Sequence, residues 1–425
     1  MNTERKTILL TGGRAPATLE LARLFDEAGH CVVVAESLPA HLCRVSRAVA
    51  RSYLVPPPRQ QEKEYIEELC RIAEREKADL LVPTCEEVFF VAKGRERLRH
   101  YVEPFVESLE ELRIWHDKAA FVRLAEQAGF SVPQTRSVIS AAGLLEALQD
   151  VEPGKSVVLK PAFSRFSSRV HILRRCLPRK DWYTASELPA IREGETWLVQ
   201  EFIAGRQLCS YAVAREGRLA LYADYATTFT AGQGASISFS FADHPGVRTF
   251  VEKMVGLRRF TGQIAFDFIE TRTGELYPIE CNPRLTSGIH LFRGKREAAE
   301  AFFGGRGAGG EHDGNDNNEA LEKPERATLP VHADKQPVVV PSANASAALS
   351  MAMLFYGLPS LRSWREGRRW LGEFLKSRDV VFRWSDPLPA FEQLRLLWIL
   401  ADMKRKTGMS MIECSTSDIE WNGDE

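Results

Sequence analysis

The sequence predicts a mixed protein: an α/β N-terminal domain on a doubly wound parallel sheet, then a strand-rich α+β domain, then a small helical C-terminal unit. Three observations carry this expectation. The first hundred residues alternate short β-branched runs with helical patterns, the rhythm of a parallel sheet with crossover helices. From about Val157 to Glu280, strand-like runs follow one another, separated by Gly, Pro and charged turns. After about residue 345, apolar residues return at helical spacing.

The elements read in order as follows. Ile8 to Thr11 is a buried strand, and Ala17 to Ala28 a helix with Leu19, Ala22, Leu24 and Phe25 on one face, stopped by Gly29. Cys31 to Ala35 is a second strand, Glu64 to Glu76 an amphipathic helix, and Leu80 to Val82 a third strand closed by Pro83. Ser108 to Gly129 reads as one helix, capped by Ser108. Strands are expected at Val157 to Lys160, Trp197 to Gln200, Gln207 to Val213, Gly217 to Ala223, Gly262 to Glu270 and Glu275 to Glu280. Gly304 to Glu325 is low in apolar side chains, so ordering it would cost chain entropy with little burial in return. A flexible insert is expected over 301–345. Helices are expected at Ala347 to Tyr356, Arg362 to Lys376 and Phe391 to Arg405. The expected domains are 1–112, 113–300, the insert, and 346–425, in line with roughly 150 residues per domain.

Composition narrows the function classes. Hydrophobic residues are 44% and charged residues 27%, ordinary globular usage that excludes a disordered or coiled-coil chain. Basic and acidic residues number 56 and 57, so no global positive field exists to hold nucleic acid. The eight cysteines are scattered without a C-x-x-C pair, which disfavours a zinc site or disulfide scaffold and points to a reducing cytoplasm. The N-terminal apolar run and Leu394 to Ala401 are both too short to span a membrane.

The first βα loop, Thr11-Gly-Gly-Arg14-Ala-Pro16, lacks the third glycine of a dinucleotide loop. It reads as a tight turn into a helix; the alternative is a small acidic substrate held at the helix N-terminus beside Arg14. A stronger signal is Asp267 within Gly262-Gln-Ile-Ala-Phe-Asp-Phe-Ile, followed by Glu280-Cys-Asn282-Pro-Arg284. Glu280 and Asn282 are two apart and share one strand face, and a hairpin would set Asp267 opposite them. These acids lie inside apolar runs, where an unpaired charge is costly and a hard divalent cation resolves the conflict. Lys160 closes an apolar strand and Lys118 follows Asp117; each is suited to a phosphate. Glu86 and Glu87 follow a parallel strand and would face the ligand crevice of an α/β sheet, with a solvated helix start as the other reading.

The order Lys118, Lys160, Gln200-Glu201-Phe-Ile203, Asp267, Glu280-Cys-Asn282 resembles the ATP-grasp superfamily over residues 1 to about 295. The resemblance implies a pre-ATP-grasp α/β domain, then two α+β lobes that clamp ATP. It implies Lys118 and Lys160 on the phosphates, and Gln200, Glu201 and Ile203 as an adenine hinge acting largely through backbone groups. It further implies Mg²⁺, or Mn²⁺, on Asp267, Glu280 and Asn282, with Arg284 and Lys160 catalytic. Gln207 stands where the family usually carries a ribose-binding glutamate. The loop after Lys160 has no glycine, so Ser167 and Ser168, with Arg165 or Arg169, are expected to bind phosphate. Trp197 to Gly205, Thr261 to Asp267, Ile279 to Arg284 and Arg378 to Pro387 are similar to the mycosporine-glycine synthase-like branch. The implied activity is an ATP-dependent ligase joining a carboxylate or enol to an amine or amino acid. An ATP-dependent phosphotransferase and a non-catalytic ATP-binding protein are the rivals. Substrate contacts are expected from Glu86, Glu87 and Arg14; no nucleic acid or membrane partner is expected, and a homodimer is allowed.

Overall fold

The computed structural model describes residues 4–152, 154–163, 169–174, 188–192, 194–231, 235–303, 337–361 and 363–423. The N-terminal sheet has five parallel strands in the order Arg51–Leu54, Cys31–Glu36, Thr7–Thr11, Leu80–Val82 and Glu103–Pro104. Leu9, Val33 and Leu81 face one apolar core, and Ile8, Leu10, Val32 and Val34 face another. Both faces are covered, which is why these strands are continuous Val/Leu runs rather than alternating ones. Chain direction across the sheet reverses between Thr7–Thr11 and Leu80–Val82, so the crevice lies above the loops that carry Arg14 and Glu86.

Two further sheets follow. A four-stranded sheet has the order Thr135–Val138, Trp197–Glu201, Val157–Pro161, His171–Leu173, and all its pairings are antiparallel. Its helix Ala141–Gln149 encloses a separate small core of Val138, Leu144, Leu148, Val157, Leu159, Trp197 and Val199. A seven-stranded sheet has the order Leu276–Asn282, Gly262–Glu270, Arg206–Arg215, Arg218–Thr227, Ser238–Phe241, Ser346–Ala348, Arg378–Asp379. Ile264, Phe266 and Phe268 bury one of its faces in the same core as Phe250 of the helix Pro245–Leu257. No helix among the described residues is long and apolar enough to cross a membrane.

Three expectations are corrected. The helix expected over Ser108 to Gly129 is two helices, Leu109–His116 and Lys118–Gln127. Asp117 leaves helical geometry, and its side chain accepts from the N–H groups of Ala119 and Ala120, starting the second helix. Residues 337–345, expected within a flexible insert, are described and partly paired. Residues 304–336 lie outside the described residues, but Val339 lies beside the 218–227 strand, donating to the Ala220 carbonyl and accepting from the Tyr222 N–H. The expected helix from Ala347 begins instead as the strand Ser346–Ala348, because the Ser238–Phe241 strand offers it an open ladder that outweighs alanine's helix preference.

Candidate functional site

Alternation along Gly262–Glu270 sends Ile264, Phe266 and Phe268 into the core and leaves Asp267 on the opposite face. Asp267 stands directly across from Glu280 on one side and Cys209 on the other. The hairpin register slips by one residue after Asp267, which leaves Ile279 as a bulge. Asn282 Nδ2 lies 3.4 Å from Asp267 Oδ2 and 3.4 Å from Glu280 Oε1, so one amide spans both carboxylates. Two acids facing each other across a strand pair repel. Burial and the Glu280 charge push the Asp267 carboxyl up. Burial would raise Glu280 as well, but Lys118 and Lys160 outweigh it and hold that carboxyl low.

Both lysines come from other elements. Lys160 shares a sheet face with Leu198 and Gln200, opposite the face that Val157 and Leu159 bury under the Ala141–Gln149 helix. Its Nζ donates to the Ile279 carbonyl at 3.3 Å, so the bulge carbonyl ties the two sheets together. Burial pulls the Lys160 amine down to about 8, with Lys118 adding to the shift and Glu280 opposing it. Lys118 is the first residue of its helix, and its Nζ is 3.7 Å from Glu280 Oε2. Its backbone N–H donates to the Ala162 carbonyl at 3.2 Å, two residues beyond Lys160.

The hinge residues sit at the end of Trp197–Glu201. Gln200 is buried on the Lys160 face, and its Nε2 donates to Thr135 Oγ1 at 2.9 Å. The Glu201 side chain lies on the other face and pairs with Lys155 at 3.4 Å. Ile203 is half-buried just past the strand. A cavity of about 260 Å³, lined among others by Thr135, Val157, Val199 and Glu201, opens on that helix-covered side rather than on the Lys160 face. Gln207 lies on the Asp267 side of the large sheet, across from Ile269. Ser167, Ser168 and Arg165 lie outside the described residues. Arg169 forks onto Glu195, one contact being 2.9 Å, and stacks over the Trp197 ring.

The substrate candidates separate. Glu86 is buried, with Arg284 Nη2 at 3.9 Å from its Oε1. Arg284 also donates to Asn282 Oδ1 at 3.1 Å, so it links Glu86 to the acid pair. Glu87 is turned inward. Its Oε1 accepts from Thr11 Oγ1 at 2.6 Å and from the Thr84 and Cys85 N–H groups, pinning the two loops at the switch point together. Gly12 belongs to this clamp: its φ is +69°, and a Cβ there would lie 2.8 Å from Glu87 Oε1. Arg14 does not face an open acid-binding site. It is enclosed by Glu36 and by Asp418 from the C-terminal segment, whose Oδ1 accepts from Nη1 at 2.8 Å. Burial alone would raise Glu36, but the Arg14 guanidinium holds its carboxyl at about 2. The carboxylates expected from a substrate thus come from the chain itself.

Two site neighbours were not found from the sequence. His116 is buried among the rings of Phe89, Phe163 and Trp421, and burial, reinforced by Lys118, pulls it down to about 4. Trp421 stacks on Phe89 with ring centres 4.4 Å apart. A lone histidine and a tryptophan some 300 residues away form no motif, so only folding reveals the cluster.

Comparison with family models finds no match, and neither does comparison with curated proteins. Solved structures do match. N5-carboxyaminoimidazole synthetase from Staphylococcus aureus is 14% identical, with a TM-score of 0.52 over 68% of this chain and 73% of that one. The L-amino acid ligase from Bacillus licheniformis is 16% identical, with a TM-score of 0.51 over 68% and 70%. Biotin carboxylase from Campylobacter jejuni, solved as a β,γ-ATP complex, is 18% identical, with a TM-score of 0.54 over 70% of each chain. The chain has the ATP-grasp fold. Within that fold, the four-stranded and seven-stranded sheets meet at Lys160 and Ile279, with Asp267, Glu280, Asn282 and Lys118 around the junction. Among the described residues, no three His, Cys, Asp or Glu side chains gather as a metal cluster; the Asp267 and Glu280 carboxylates are joined instead by the Asn282 amide.

Proposed function

We propose that the chain is an ATP- and Mg²⁺-dependent ligase that phosphorylates a carboxylate or enolic oxygen and joins it to an amine, releasing ADP and phosphate. The observation that carries this reading is the meeting of Lys118 and Lys160 with Asp267, Glu280 and Asn282 at the junction of the two sheets. The donor set fits a hard divalent cation: two half-buried carboxyl groups face each other, Asp267 pushed up by its surroundings and then by the Glu280 charge, and positive charge between them relieves the repulsion. When bound, Mg²⁺, or Mn²⁺ in its place, supplies that charge to the phosphate oxygens. Asp267, Glu280 and Asn282 would hold it. Lys118 and Lys160 bind phosphate oxygens from a buried, preorganised position. Gln200 and the backbone from Glu201 to Ile203 orient the base, Gln207 the ribose, and Ser167 and Ser168 the phosphates. Arg284, fixed between Asn282 and Glu86, steadies the acceptor oxygen as it gains charge.

The solved structures named above support this reading, since their names describe a synthetase, a ligase and a carboxylase. The segments Trp197 to Gly205 and Ile279 to Arg284 also favour the mycosporine-glycine synthase-like branch, and with it an enolic acceptor. The described cysteines are all free thiols, which supports a cytoplasmic setting. The deciding experiment is ADP release with mass detection of the product. ADP and phosphate formed only when an amine is present support the ligase; a stable phospho-product with no amine requirement overturns it. Glu280→Gln is expected to lose about 10²-fold or more in turnover, the order seen when transition-state charge stabilisation is removed. Full activity and unchanged Mg²⁺ dependence in that variant would sink the metal assignment.

A further inference from the structure

The helix Trp364–Lys376 sorts its side chains into arcs. Ser363 caps it, accepting from the Glu366 N–H at 3.2 Å. Trp370 fastens it to the body of the protein: the indole is buried, donates to the Met353 carbonyl at 3.2 Å and stacks on Phe374. At about 100° per residue, Trp364, Leu371 and Leu375 fall within ~40° of one another, clear of Trp370. They are 84%, 50% and 73% exposed. Next around the helix come Arg368, Arg365, Lys376 and Arg369, all exposed. The acids Glu373 and Glu366 follow only beyond these cations. Gly367 and Gly372 flank the apolar stripe, and a Cβ added at either would meet nothing within 4 Å.

Two features decide what meets this surface. Among the described residues, none of the four cations pairs with a carboxylate, so the complementary surface is anionic. Arg368 also stands at the edge of the stripe, four residues after Trp364 and three before Leu371. A protein groove closing over the stripe would desolvate that guanidinium and would have to supply a fitted partner for it. A lipid interface accepts both groups at once. Apolar side chains enter the acyl boundary while long basic ones reach the headgroups, and tryptophan is favoured at that depth. We propose that this helix lies on an anionic phospholipid surface. Trp364, Leu371 and Leu375 enter the acyl boundary, Arg365, Arg368 and Arg369 meet headgroup phosphates, and Glu366 and Glu373 stay on the far side of the cations. Such a contact needs no membrane span. A short stripe with a few cations gives reversible attachment. The contact does not depend on the reaction proposed above.

The test uses the full chain and co-sedimentation with vesicles at about 0.1 M salt. Binding is expected to vesicles of phosphatidylcholine with about 30% phosphatidylglycerol and not to phosphatidylcholine alone. Raising the salt to about 0.5 M is expected to weaken it, since exposed charges are then screened. The triple variant Arg365→Gln, Arg368→Gln, Arg369→Gln is expected to lose roughly 100-fold in affinity, at about fivefold per cation. The triple variant Trp364→Ser, Leu371→Ser, Leu375→Ser is expected to lose at least about tenfold, because the apolar burial is gone. All six positions are exposed, so the circular dichroism spectrum is expected to stay unchanged. The control variant Arg218→Gln, Arg259→Gln, Arg272→Gln removes three exposed cations elsewhere and is expected to bind as the wild type does. A wild type that sediments with neither vesicle, or equally with both, would overturn the proposal. So would binding that survives either helix variant, or a control variant that loses as much as the helix arginine variant.

Discussion

At the scale of single residues, the site is a set of charges that correct one another. Lys160 shows this most directly. Burial pulls its amine to about 8, and Glu280 limits the fall. Below that value the free protein presents a cation to phosphate; above it the amine is neutral and the attraction is lost. ATP affinity is therefore expected to hold from pH 6.5 to about 8 and then weaken, approaching tenfold per pH unit, as one proton must be taken up on binding. Titration calorimetry across that range checks the slope, and an affinity flat to pH 9.5 would remove Lys160 from the phosphate site. The sequence grouped Asp267, Glu280 and Asn282 with both lysines, because acids inside apolar runs are costly unless positive charge meets them, and the structure brings these five side chains together. It did not disclose that Arg14 is neutralised. Asp418 lies some 400 residues away, and nothing local to the Thr11–Pro16 loop marks it as a partner. Glu86 and Glu87 read alike in sequence, yet Glu86 lies beside Arg284 while Glu87 pins the switch-point loops.

At the scale of elements, legibility followed burial. The strands at 262–270 and 80–82 were read to their ends because Ile264, Phe266 and Phe268 commit one face of the first to the core and all three residues of the second are buried. Arg51–Leu54 was missed because it is a half-exposed edge strand with a polar sequence. The break between the helices at 109–116 and 118–127 was missed because apolar periodicity runs through it, while the signal for the break is one capping side chain. That break has a use: it starts the second helix at Lys118, whose backbone N–H bonds the Ala162 carbonyl of the neighbouring lobe. Asp117→Ala is expected to cost about 1 kcal/mol of stability, the usual loss of an N-cap, and to raise the KM for ATP as the helix start frays. Urea unfolding and steady-state kinetics together check it. A stability loss with no change in KM would mean that Lys118 is held by the Ala162 contact alone.

At the scale of the whole molecule, the residues after 345 are woven into the rest of the chain. Ser346–Ala348 extends the large sheet. Arg383 pairs with Glu20 and Glu27 of the first helix, and Arg23 of that helix pairs with Asp386 at 2.9 Å. Trp421 closes over Phe89 and approaches Phe163, which lies three residues beyond Lys160. A chain fastened at so many points has a reason to unfold as one body. Arg383 is the fastening whose loss is most informative, because Glu20 is almost fully buried and would keep His290 as its near partner, with Arg23 and Arg293 acting only from farther away. Breaking a buried ion pair from one side costs about 3–5 kcal/mol, whereas replacing both partners by apolar groups is far cheaper. Arg383→Ala is therefore expected to lower the midpoint of a single cooperative urea transition, followed both by far-ultraviolet circular dichroism and by tryptophan fluorescence. Adding Glu20→Met is expected to recover most of the loss. Two separate transitions, with Arg383→Ala shifting only one of them, would show that the C-terminal region folds as its own unit and is merely docked on the first helix.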